Sequence, residues 1–166
     1  MMTVAVGIVG EIPLTQGKVA LVDDADLPIV GRYRWYAAKV RRGFYAARKS
    51  PQVDGVRSII FMHRALLPGV VEVDHKNGNG LDNRRLNLRP ATTAQNQSNQ
   101  RVQSRVGKKS SFKGVTRTPY SWRASIRVND RFIHLGCFDT EIEAAKVYDK
   151  AAKRHFGEYA RINFDG

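Results

Sequence analysis

The chain has 166 residues, 28 of them Lys or Arg and 15 Asp or Glu, for a net charge of +13. With 42% hydrophobic residues it is globular, long enough for one ordinary domain or two small ones, and its charge calls for a polyanionic partner, nucleic acid first. No run of about 20 apolar residues and no basic amphipathic helix marks a membrane protein; the single cysteine, Cys137, excludes a disulfide framework and a four-cysteine zinc site, so any metal takes oxygen or nitrogen ligands.

The start, Met1 to Gly10, lacks the basic n-region of a signal peptide and is expected to be a mature, non-secreted terminus of a cytoplasmic protein. Residues 1–62 then alternate β-branched and aromatic runs with turn residues, which predicts an antiparallel sheet from strands at Lys18 to Val22, Tyr33 to Val40, Gly43 to Arg48 and Arg57 to Met62. Arg41-Arg42-Gly43 is expected as a tight hairpin connection and residues 51–55 as a longer turn. Asp23-Asp24-Ala25-Asp26 can cap a short helix through Val30. Basic side chains (Arg32, Arg34, Lys39, Arg41, Arg42, Arg48, Lys49) interleave with aromatics, and two readings stand for them: a face that tracks phosphates, or a solvated face over an aromatic core.

The charge excess peaks in residues 63–111, which hold 9 basic and 3 acidic groups. Val70 to His75 reads as a strand ending on polar residues, Asn77-Gly78-Asn79-Gly80 as a loop, and Leu86 to Arg89 as a second short strand closed by Pro90. Thr92-Thr93-Ala94-Gln95 has the form of a capping box, predicting a helix to about Gln103 with Asn96 in its first turn. Taken singly, Asp-His at a strand end, Asn-Gly in a loop and Asn at a helix start are ordinary turn and cap signals. Together, Asp74-His75, Asp82-Asn83-Arg84, Asn87-Leu88-Arg89 and Asn96, with Met62-His63-Arg64 upstream, resemble the HNH homing endonucleases and their ββα-metal nuclease motif, at spacings of 12 from His75 to Asn87 and 21 from His75 to Asn96.

Hydrolysing a phosphodiester needs an activated water and neutralisation of charge on oxygen. A neutral histidine suits the base at neutral pH; with the resemblance, this makes His75 the candidate general base. Asp74 and Asn96 are the implied ligands of one hard divalent ion, Mg2+ or Mn2+, which takes oxygen donors and keeps waters. Many relatives carry a third His where this chain has Asn96, which moves preference away from Zn2+. Asn87 occupies the position that braces the loop and the base histidine, and Arg84 and Arg89 are expected DNA contacts. For His63, a place near the phosphate and a satisfied structural histidine both remain open.

Residues 106–111 read as a short basic linker. The remainder, residues 112–166, predicts strands at Phe112 to Arg117, Trp122 to Val128 and Arg131 to Phe138, with Asn129-Asp130 as a hairpin turn. Thr140 to Glu143 repeats the capping box, and Ile142, Ala145, Tyr148, Ala152 and Phe156 form a stripe at helical spacing. Trp122, Ala124, Ile126 and Val128 alternate with Arg123, Ser125 and Arg127, so one sheet face packs and the other carries charge. Phe112 to Val115, Trp122 to Arg127, Leu135 to Phe138, Tyr148-Asp149 and Asn163-Phe164 resemble the APETALA2-type domain of plant ethylene-response factors, a module also found fused to HNH endonucleases. Thr116, Thr118, Ser125 and His134 stand where plant domains tend to have Arg, Arg, Glu and Trp, so the fold carries over and the plant target sequence does not. Lys113, Arg117, Arg123, Arg127 and Arg131 are the expected DNA contacts.

The expected architecture is α+β: an N-terminal antiparallel sheet that contacts DNA (1–62), a ββα-metal core (63–105), a linker (106–111) and a three-stranded sheet on one helix (112–166). The expected function is a site-directed endonuclease on double-stranded DNA, without a small-molecule cofactor, nicking as a monomer. Its rivals are a DNA-binding regulator whose core has lost activity and a structured-RNA binder.

Overall fold

The computed structural model describes residues 9–40, 43–100 and 110–164, in two compact units, residues 1–92 and 93–166. The hairpin connection at Arg41-Arg42, the first eight residues and linker residues 106–109 lie outside the described residues. The class is α+β, with small antiparallel sheets.

In the first unit, β1 (Val9–Pro13) pairs antiparallel with β2 (Val19–Asp23), Val9 opposite Asp23 and Pro13 opposite Val19. A separate three-stranded sheet runs in the order β3 (Tyr36–Val40), β4 (Gly43–Lys49), β5 (Ile59–Phe61). The single sheet expected here is therefore two: residues 9–13, which carry no strong strand pattern, take the hydrogen bonds of β2. β3 starts at Tyr36 rather than Tyr33, because Trp35 is drawn into the core with its Nε1 donating to the Val30 carbonyl at 2.8 Å. The turn at 51–55 forms as expected, with Asp54 and Gly55 both at positive φ and Val53 bridged to Val56.

Between the sheets lie a 3₁₀ turn at Asp24–Asp26 and the short helix α1 (Leu27–Val30). The acidic run does not cap it: neither Asp23 nor Asp26 makes a side-chain cap bond, and both accept from Arg85 instead. A second helix that the strand pattern hid, α2 (Met62–Leu66), follows β5 directly. One hydrophobic core joins Ile12, Val22, Trp35, Ala46, Met62, Val73 and Leu88, crossing residue 62. Met62 is fully buried, worth roughly 1.5–3 kcal/mol. On this core rests the pair β6 (Val73–His75) and β7 (Leu88–Pro90), with Asp74 opposite Arg89 and His75 opposite Leu88.

The second unit begins with α3 (Thr93–Ser98); Asn99 and Gln100 do not continue it, and residues 101–103 of the helix expected to about Gln103 lie outside the described residues. Ser98 Oγ donates to the Gln95 and Tyr159 carbonyls, and Arg161 N–H donates to the Ser98 carbonyl, so the helix end is tied to the chain's last segment. β8 (Val115–Arg117), β9 (Trp122–Val128) and β10 (Arg131–Phe138) form a sheet in the order β10, β9, β8, packed on α4 (Glu141–Phe156). Thr140 and Glu143 complete the expected capping box, and Gly157 ends the helix at φ 53. The buried stripe is Ala144, Ala145, Tyr148, Asp149 and Ala152; Ile142 is 53% exposed, rotated just off it. β8 begins at Val115, not Phe112, because Gly114 must turn at φ 76 against the Tyr148 ring, where a Cβ would have no room. Asp149 accepts from Asn163 and Phe164 N–H groups, and Asn163 reaches both Lys113 backbone groups, stitching the helix to both ends of the unit.

Candidate active site

His75 ends β6, 4% exposed. The loop that follows, residues 76–87, is closed by its own carboxamides. Asn87 Oδ1 accepts from Asn77 N–H at 3.0 Å, Asn87 Nδ2 donates to the Asp82 carbonyl at 2.7 Å, and its backbone carbonyl takes Lys76 N–H. Asn77 Nδ2 donates to Asp82 Oδ2, and Asn79 N–H returns to Asn77 Oδ1. Two further contacts pin the loop from outside. Leu21 of β2 donates to the Leu81 carbonyl and accepts from Asn83 N–H, and Gly80 sits so close to the Phe44 carbonyl and Tyr45 ring of β4 that no Cβ fits. The side chains that close the loop on itself here are small amides and a short carboxylate, which is why the stretch is rich in Asn, Asp and Gly.

The result fixes the histidine's tautomer. Asn83, 0% exposed, donates its Nδ2 to the Leu81 carbonyl at 3.2 Å, which leaves Oδ1 to face His75 Nε2 at 3.4 Å. An amide oxygen only accepts, so Nε2 carries the proton and Nδ1 is the basic nitrogen. Burial pushes the His75 pKa down; the Asn83 bond and the charges of Asp74 and Asp82 pull the other way without overcoming it. The ring is therefore neutral at neutral pH, as a base must be.

Asp74, the residue before, is 6% exposed, and its Oδ2 accepts from Arg89 Nε at 2.9 Å and Nη2 at 2.7 Å. Arg89 was expected on DNA; at 7% exposure it is instead the guanidinium that holds the Asp74 carboxylate. Arg84 is likewise forked onto Asp82 at 2.7 Å through both Nε and Nη2, which holds the Asp82 carboxyl below its usual range, but its side chain stays 40% exposed. Arg85 grips Asp26, so both arginines brace the loop's far end. Asn96 lies in α3, in the second unit. Among the described residues no three His, Cys, Asp or Glu side chains gather to hold a metal.

Of the aromatic neighbours of His75, Tyr45 was given no role by the sequence and His63 was left between two. Tyr45 sets its ring edge-to-face against Phe61, His63 and His75 at centroid distances of 5.9, 5.8 and 5.7 Å. His63, on α2, is stacked on Phe61 at 9° and stands edge-to-face to His75 at 5.0 Å. It is not a satisfied structural histidine: Nδ1 is buried and has no hydrogen-bond partner among the described residues, which costs about 1–3 kcal/mol. Burial, with His75 and Arg64 nearby, lowers its pKa to about 3.

Compared with known proteins, the chain is 31% identical over 150 residues to an uncharacterized HNH endonuclease of Acanthamoeba polyphaga mimivirus, covering 89% of this chain and 76% of that protein. The chain belongs to the HNH endonuclease family. No protein-family model matches it. The C-terminal part of this HNH protein is similar to APETALA2-type plant proteins. It is 44% identical over 59 residues to APETALA2-like protein 2 of rice, Oryza sativa subsp. indica, and 46% over 57 residues to dehydration-responsive element-binding protein 2A of Arabidopsis thaliana. These matches cover 34% and 32% of the chain but only 14% and 17% of the plant proteins.

The HNH chain's second unit shows which of the expected contacts share a face. Cross-strand partners point to one side of a sheet. Thr116 pairs with Arg123, Arg127 with Phe132, and Ser125 with His134, opposite in parity to the buried Ala124 and Ile126, so these form the outer face. Arg123 and Arg127 are exposed there, Arg127 stacked 5.5 Å from Phe132 and paired with Asp130. Arg117 pairs with Trp122 and Arg131 with Val128, so both fall on the other parity at the sheet's ends, Arg117 lying 4.8 Å over the Trp122 ring. Lys113 turns its Nζ to the Ser98 carbonyl. In the first unit, Arg48 stacks 3.9 Å over Tyr33 and Arg32 lies 5.0 Å from the same ring, a basic and aromatic surface cluster. Among the described residues no helix is long and apolar enough to cross a membrane.

Proposed function

We propose that the chain is a site-directed DNA endonuclease of the homing type, acting as a monomer and so nicking one strand per engagement. The observation that supports this reading best is His75: a buried, neutral imidazole with its tautomer set by Asn83, on a loop locked by Asn87, in a chain of the HNH family. Nδ1 takes a proton from a water, and the hydroxide oxygen attacks phosphorus as the bond to the leaving oxygen breaks. Asp74 and Asp82 stabilise the imidazolium that forms, and Nε2–H keeps its bond to Asn83 throughout.

Asp74 and Asn96 would hold one divalent ion, Mg2+ or Mn2+. The donor chemistry fits: a carboxylate and an amide oxygen are hard ligands for such an ion, which usually keeps several waters. Bound, the ion would neutralise charge on the phosphate oxygens. Arg89 orients the Asp74 carboxylate. Arg123 and Arg127 on the outer sheet face, with the basic groups of residues 1–62, would grip double-stranded DNA, and Arg84 a phosphate near the loop.

One observation favours a second reading, an inactive DNA-binding regulator: a carboxylate forked by a buried arginine competes poorly for a cation. Negatively supercoiled plasmid carrying a randomised insert separates the two. Open circles that appear with Mg2+ and vanish with EDTA support the endonuclease; DNA that shifts on a gel but is never nicked supports the regulator.

A further inference from the structure

Residues 138–166 hold 6 acidic and 5 basic groups, so by count this part of the chain is not basic. The fold sorts those charges. In α4, Ala144, Ala145, Tyr148 and Ala152 are buried against the sheet, and Lys146, Lys150, Lys153 and Arg154, spaced i, i+4, i+7 and i+8, fall together on the side turned away from it. All four are exposed. The carboxylates of the helix are engaged or confined to its start: Glu141 and Glu143 lie in the first turn, Glu143 Oε2 accepting from Thr140 N–H and Oγ1, and buried Asp149 accepts from Asn163 and Phe164. Among the described residues none of the four cations is in an ion pair. Lys153 and Arg154 sit in the last turn, where the helix dipole favours cations. Lys146 and Lys150 have no such reason, and like charges one turn apart, at 146 and 150 and at 150 and 154, cost helix stability. We propose that this stripe is a second DNA-binding surface, holding the phosphate backbone of a duplex other than the one on the outer sheet face, so that one chain bridges two DNA segments.

The inference rests on the reading of Arg123 and Arg127 as DNA contacts and adds a partner behind them. Those arginines project from the face of β9 opposite to Ala124 and Ile126, which pack with α4, so the sheet face and the helix stripe point in opposite directions and one straight duplex cannot touch both. From Lys146 to Arg154 the helix advances about 12 Å, a length over which duplex DNA presents about 7 phosphate charges. Three ammonium groups on flexible stems and one guanidinium suit phosphates without reading bases, so the contact is indifferent to sequence. A lipid surface fits less well: an interfacial helix sinks a broad apolar face into the bilayer, and here that face is covered by the sheet.

The test uses the full chain in EDTA, a biotinylated duplex of random sequence on beads and a second, fluorescent duplex in solution. The combined variant Lys146→Gln, Lys150→Gln, Lys153→Gln, Arg154→Gln removes the four charges with a good helix former and should unfold at the parent's temperature or above it. The parent is expected to hold the fluorescent duplex on the beads. The variant is expected to bind the bead duplex within threefold of the parent and to hold at least tenfold less of the fluorescent one. Equal bridging by the variant would overturn the proposal, because another surface then carries the second duplex. A tenfold loss of bead binding alongside the loss of bridging would overturn it too, because stripe and sheet then serve one duplex. Binding to phosphatidylserine vesicles that the variant loses, with bridging unchanged, would assign the stripe to a lipid surface. A parent that binds the bead duplex and never carries a second overturns the stripe alone; a parent that leaves the beads bare overturns the DNA-binding reading itself.

Discussion

At the scale of single residues, the centre of the molecule is two neutral histidines buried against each other. Each has a pKa below that of a histidine in the unfolded chain, His63 at about 3 and His75 lowered from 6.5. Between those values and about 6.5 the unfolded chain binds protons that the folded one refuses, so stability falls as pH falls. Urea unfolding should show full stability above pH 6.5 and a loss below it, approaching about 1.4 kcal/mol per pH unit from His63, with His75 adding in the same direction. His63→Phe should remove the His63 part of that slope; an unchanged slope would mean His63 is not buried neutral. That Asp74, His75 and Asn87 belong to one strand–loop–strand unit was open to view in the sequence because their spacing is a motif. The partners were not: that Arg89 faces Asp74 follows from the pairing of β6 with β7, and that Asn83 faces His75 follows from Leu21, about 60 residues earlier in the chain.

At the scale of elements, the loop between β6 and β7 is a polar brace. Asn87 joins its two ends through three hydrogen bonds, so Asn87→Ala strands Asn77 N–H and the Asp82 carbonyl. We expect a loss of about 1–3 kcal/mol by urea titration, chiefly from the buried Asp82 carbonyl, together with a fall in nicking rate larger than any fall in DNA affinity. Equal losses in both would make Asn87 a folding residue only. β9, β10 and the start of α4 were legible to the residue, since alternation and a capping box are local signals, while the first three residues expected in β8 were lost to the turn at Gly114. β1 and α2 were not, since β1 is specified by its partner β2 and α2 by the core contact of Met62.

At the scale of the whole molecule, a net charge of +13 is spread over both units. If about 6 phosphates are neutralised, log K against log salt should slope near −5. Arg123→Ala and Arg127→Ala should each make that slope shallower by about 1, while Arg89→Ala, which uncovers a buried carboxylate, should change stability rather than slope. A sheet-face pair with no effect on salt dependence would move the DNA interface elsewhere, to the Arg32, Tyr33 and Arg48 cluster.

We propose His75 Nδ1 as the base of this HNH chain. Its most direct test is nicking of supercoiled plasmid by the parent and by His75→Ala at matched DNA occupancy in Mg2+. We expect the parent to produce open circles and His75→Ala to produce none above background, with DNA affinity within a few-fold. A His75→Ala protein that nicks like the parent, or that loses DNA binding as fully as it loses cleavage, would contradict it.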